Sequence, residues 1–134
     1  LWDVANLREV ATMWATEHRN VNAMVVLRDG QLATGTGKCI QVWDVGRPYP
    51  TCCTTIPDGA FALTLLHNGR LAVVSSTDHG VRIMNTHASA VTTVLPAKCL
   101  FLVELPDGRI VCAMGTYSSK IWPTRVLERL TKKT

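Results

Sequence analysis

The stretch Val21–Val45, VNAMVVLRDGQLATGTGKCIQVWDV, decides the fold. An apolar run (Val21, Met24, Val25, Val26, Leu27) stops at Asp29-Gly30. That dipeptide predicts a two-residue type I′ hairpin, with positive φ at both central positions. A second strand (Gln31 to Thr34) leads into the small-residue turn Gly35-Thr36-Gly37, and a third (Cys39 to Val42) ends at Trp43-Asp44.

The same pattern returns twice. Gly30, Gly69 and Gly108 are 39 residues apart, each after Asp or Asn. Each follows an apolar run (AMVVLRDG, ALTLLHNG, FLVELPDG) and precedes another (GQLATG, GRLAVV, GRIVCA). A small polar segment and a closing strand complete each unit: CIQVWD, GVRIMN, SKIWPT. The chain start, LWDV, reads as a closing strand of the same kind. REVATMWAT, YPTCCTTI and AVTTVL fill a fourth strand slot in turn, with RVLERLTKK as a last example that also suits a short amphipathic helix. Four strands per unit of about 40 residues is the period of a β-propeller blade. Blade sheets pack on both faces, so their strands read as continuous apolar runs, not strict alternation.

Composition agrees with a buried, strand-rich chain. Of its 134 residues 47% are hydrophobic and 18% charged, which argues against disorder. The net charge of +4 is mild, and part of it sits in Arg125, Arg129, Lys132 and Lys133. No apolar run reaches the length of a membrane span, and no signal-peptide pattern opens the chain. Five cysteines (Cys39, Cys52, Cys53, Cys99, Cys112) without CxxC spacing predict free thiols and an intracellular, cytoplasmic or nuclear setting. They share no metal-ligand spacing with His18, His67, His79 or His87, so no metal and no cofactor is expected.

Blade by blade, the chain resembles WD-repeat β-propellers. Val21 to Gly30 is similar to the family's V-x-x-V-x-x-x-x-D-G first strand and turn, and Leu32-Ala33-Thr34-Gly35-Thr36 to its L-A-S-G-S second strand. Ile40-Gln41-Val42-Trp43-Asp44 matches its closing I-x-V-W-D. The resemblance implies an all-β, WD-repeat-like β-propeller segment of three four-stranded antiparallel blades plus a leading strand. The blades would span about 19–56, 57–96 and 97–134, with residues 1–18 in strands of a preceding blade. It also implies that His18, Thr34 and Trp43 are members of the family's structural tetrad, whose Asp is replaced here by Gly37-Lys38. In the second and third blades the closing Trp-Asp becomes Met84-Asn85 and Trp122-Pro123. Known rings close with four or more blades. The chain, which opens on Leu1 without an initiator Met, is therefore expected to be part of a longer propeller or to complete a ring with further copies.

No segment carries a strong catalytic signature. Gly35-Thr36-Gly37-Lys38 lacks the spacing of a phosphate loop and is expected to be a blade turn. Ser75, Ser76, Asp78 and His79 cluster, but in a run that reads as a turn. Cys52-Cys53 is expected to pack on an outer strand, as is Trp14. The expected function is a non-catalytic scaffold for proteins or peptides. By the resemblance, its contacts lie on the rim where first strands begin, at Asn20, Asn22, Phe61, Lys98 and Leu100. Two alternatives remain open: a basic surface for nucleic acid or anionic lipid, and an enzyme of another propeller class. Nucleic acid is the less expected partner, since no aromatics interleave with the basic residues.

Overall fold

A computed structural model describes residues 1–14, 20–86, 90–113 and 125–127. Every regular element among them is a β-strand. A short hairpin, β1 (Trp2–Asp3) and β2 (Arg8–Glu9), comes first. The first large sheet runs β3 (Val21–Val26), β4 (Leu32–Thr36), β5 (Ile40–Asp44) and β6 (Thr51–Ile56), antiparallel in that order. The second repeats it with β7 (Ala60–Leu65), β8 (Leu71–Ser75), β9 (Gly80–Asn85) and β10 (Ala90–Lys98). The third holds β11 (Phe101–Glu104), β12 (Ile110–Ala113) and β13 (Arg125–Leu127). None of the sheets closes into a barrel. Arg125–Leu127 pairs directly with β12, so it takes the third position in its sheet and not the fourth expected for RVLERLTKK. Residues 119–124, read as that third strand, lie outside the described residues.

The hairpin turns differ from the expected type I′. Gly30, Gly69 and Gly108 have φ of +87°, +85° and +86°, while Asp29, Asn68 and Asp107 do not enter the positive region. The glycine N–H donates to the carbonyl three residues earlier: Gly30 to Leu27 at 3.0 Å, Gly69 to Leu66 and Gly108 to Leu105 at 2.9 Å each. Leu27, Leu66 and Leu105 in turn donate to the carbonyls of Gln31, Arg70 and Arg109. Each loop therefore has three residues, with the left-handed position left to glycine alone. The Asx side chain adds a local bond: Asp29, Asn68 and Asp107 each accept through Oδ1 from the N–H two residues on, at 3.0, 3.0 and 3.1 Å.

Strand β8 shows why the apolar runs are continuous. All five of its residues are buried. Leu71 and Val73 pack with Leu27, Ala33, Ile40, Val42 and Ile56 of the first sheet, together with Ala60 and Met84. Ala72 and Val74 point the opposite way, into a cluster with Val81, Ile83, Leu95 and, from the third unit, Leu102, Ile110 and Cys112. Side chains alternate between faces along a strand. A strand sandwiched on both sides must then be apolar at every position, each full aliphatic burial contributing about 1.5–3 kcal/mol. The sheets converge at their first strands, since β7 touches both β3 and β11. The outer strand β6 alternates exposed and part-buried positions up to Ile56.

Candidate functional site

At the end of the sheets where β3, β7 and β11 begin, the linkers and the β4–β5 and β8–β9 turns form one surface. Backbone bulges shape it. Ladder pairing skips Asn22 in β3 and Phe61 in β7, which stand 39 residues apart. A bulge re-aims the side chain it carries. Asn22 Nδ2 donates to the Ala60 carbonyl at 3.1 Å, so this predicted rim residue uses its amide to tie the first sheet to the second. Phe61 is 38% exposed and sets its ring edge-on to His79, with centroids 5.4 Å apart. It also lies 6.4 Å from Phe101, which is 63% exposed.

The turn between β4 and β5 is held by Thr36, whose hydroxyl accepts from the N–H groups of Lys38 and Cys39, each at 3.2 Å. No helix follows it, so the glycine-threonine-glycine-lysine run is a hairpin turn. Ser76 locks this turn to the next sheet. Its hydroxyl donates to the Gly37 carbonyl at 2.9 Å, and its N–H donates to the Gly59 carbonyl at 3.2 Å. His79 adopts φ of +55°, and its carbonyl accepts from Cys99 N–H at 2.8 Å, joining the turn to the start of the third sheet.

Charge is concentrated around Arg82. Its Nη2 lies 3.4 Å from Asp78 Oδ2 and its Nη1 3.6 Å from Asp58 Oδ1. Asp78 is held below the usual carboxylate range, first by the Gly80 N–H at 2.8 Å and also by the Arg82 charge. Two buried side-chain nitrogens in this region, Arg82 Nη1 and His79 Nδ1, have no hydrogen-bond partner among the described residues. Ser75 shares a 3.0 Å hydrogen bond with Thr77, not with His79. The serine-histidine run therefore lacks the nucleophile–base contact that acyl transfer needs. The Cys99 thiol is pushed up by its hydrogen bond with Cys112 and by burial, and donates to the Phe101 carbonyl at 2.7 Å, as a packed thiol. Among the described residues no three His, Cys, Asp or Glu side chains gather to hold a metal ion.

The predicted residues are distributed as follows. Asn20 and Lys98 are exposed, and Leu100 is half-buried. Lys98 closes β10 and does not open the third unit. Trp43 is buried and donates through Nε1 to Thr34 Oγ1 at 2.9 Å. His18 lies outside the described residues, as does Trp122. Trp14 is 71% exposed and belongs to no strand, contrary to its expected place beneath an outer strand. Sequence reasoning missed Phe101 and the Asp58–Arg82 pair, and read Ser76 and His79 only as part of a turn. The Pro57-Asp58-Gly59 linker was the available signal for that pair, because it sets a carboxylate beside Arg82 of β9.

No known family profile matches the chain, and no curated protein matches it. Among solved structures it is similar to "KlHsv2 with loop 6CD replaced by a Gly-Ser linker", a propeller-type protein, with a TM-score of 0.53 and 17% identity. The likeness covers 81% of this chain and 40% of that one, so this chain spans well under half the length of the structure it matches. At that identity the likeness is one of fold alone.

Proposed function

We propose that the chain forms blades of a β-propeller of the WD-repeat type and serves as a non-catalytic scaffold that presents its first-strand rim to protein or peptide partners. The observation that carries this reading is the second sheet, buried on both faces between two sheets of the same design. Convergence at β3, β7 and β11 and the propeller-type neighbour support it further. The apolar faces left at Met24 and Val26 on one side and Phe101 and Val103 on the other are each about 60% exposed. Further sheets, from the same chain or from another copy, would cover them, because an apolar patch of this kind is costly in water. A reducing, intracellular setting fits the five free thiols.

The rim residues best placed for contact are Phe61 and Lys98. Asn22 is a poor probe, since its amide holds the sheets together. The test is quantitative affinity capture from native extract with the wild type, Phe61→Ser and Lys98→Glu. Specific partners lost from both variants, with unchanged circular dichroism and melting temperature, support the scaffold. An unaltered partner set removes this rim from consideration.

A further inference from the structure

At the opposite end of the sheets, the turns Leu27–Asp29 and Asn68–Arg70 and the end of β9 line an open cavity of about 360 Å³. That is the size of a small-ligand or side-chain pocket. Its lining is rich in donors. Arg28 crosses from the first turn to the second, where its guanidinium lies 3.3 Å from the position a side chain on Gly69 would occupy and donates to the His67 carbonyl. Arg70 lines the cavity, and its guanidinium has no partner among the described residues. Asn68 uses its Oδ1 to accept from the Arg70 N–H, which leaves the amide donors for a ligand. Thr86 is 6% exposed and lines the same cavity, with no hydrogen-bond partner for its hydroxyl among the described residues.

We propose that this cavity binds a carboxylate, supplied by a Glu or Asp side chain of an acidic peptide segment. Charge selects the ligand. Arg28 and Arg70 face one carboxylate, Asp29, which leaves a net single positive charge in the lining. A carboxylate, a monoanion at neutral pH, balances it. The unpaired Arg70 guanidinium supplies a fork that matches the two oxygens of a carboxylate. Arg28 is already oriented by the His67 carbonyl, and Thr86 is a largely buried residue, so little side-chain freedom is lost on binding. The site is independent of the rim and of ring closure, because both turns belong to adjacent, directly packed sheets.

The test titrates the chain with three probes: acetyl-tetraglutamate amide, glutarate and inorganic phosphate. Binding is followed by amide shifts of Gly69 and Thr86. The expected result is saturable binding of the peptide, at least about tenfold weaker in Arg70→Gln and about threefold weaker in Thr86→Val, which keeps the buried shape. Arg8→Gln, on the exposed β1–β2 hairpin, leaves it unchanged. Glutarate binding as tightly as the peptide would support the carboxylate site and assign it to a small acid. Phosphate binding without carboxylate binding overturns the proposal, and so does peptide binding that neither cavity variant weakens.

Discussion

Gly59→Ala should destabilise the chain by about 2–4 kcal/mol, although it adds one methyl group to a linker. A Cβ at this buried position would stand 2.8 Å from the Gly37 carbonyl carbon, and closer still to that carbonyl's oxygen and to Ser76 Oγ. Real side chains do not approach backbone so closely, so the linker or the β4–β5 turn must move. Overpacking of this kind costs about 1–3 kcal/mol. The movement also strains two bonds, Ser76 Oγ to the Gly37 carbonyl between the first two sheets and Ser76 N–H to the Gly59 carbonyl within the second unit. Each is worth about 0.5–1.5 kcal/mol, and the two terms overlap because strain relieved is bonding lost. Urea unfolding followed by far-UV circular dichroism gives the difference. In a Ser76→Ala background the side-chain obstacle disappears but the Gly37 carbonyl remains, so Gly59→Ala should still cost more than about 1 kcal/mol. A loss below about 0.5 kcal/mol in both backgrounds would refute the close sheet contact at this point.

Gly30→Ala, by contrast, meets open space and only the penalty of a positive φ, so urea unfolding should show a loss of about 1 kcal/mol. Leu71→Ala removes a fully buried side chain between the first two sheets and should cost about 2–5 kcal/mol by the same measurement. Trp43→Phe loses the bond to Thr34 and leaves a buried hydroxyl with one partner fewer, for an expected loss of about 1 kcal/mol. Asp78 and Asp107 have carboxylates depressed chiefly by the N–H groups of Gly80 and Arg109. Their stabilisation is complete above the unfolded value of about 3.9 and is lost as the pH falls through the lower folded values. The urea midpoint should therefore drop between pH 5 and pH 2.5 in the wild type and less steeply in Asp78→Asn with Asp107→Asn.

The strands of the opening stretch were legible because their cause is local in sequence. Apolar runs bounded by Asx-Gly place β3, β4 and β5 within two residues of the observed limits. The turn type was not, because Asp-Gly suits two hairpin geometries. Which one forms depends on whether Leu27 pairs with Gln31, a matter of register that no dipeptide states. The limit at Lys98 was missed for a related reason. Proline usually marks a strand end, but β10 lies at a sheet edge, where Pro96 falls at a ladder break between Leu95 and Lys98 and the strand continues. The rim was half legible. The 39-residue period aligned Asn22 with Phe61, yet nothing in it distinguished a side chain spent on the Ala60 carbonyl from one left exposed. Phe101 became visible only in three dimensions, because its contact with Phe61 joins two sheets.

Central to all of this is a second sheet packed on both faces, and methyl-selective NOE spectroscopy tests it most directly. Leu71 and Val73 methyls should show contacts to Ile40 and Val42, and Val74 to Leu102 and Ile110. Contacts on one face alone, or exchange of the β8 amides as fast as those of β6, would contradict a stack of sheets.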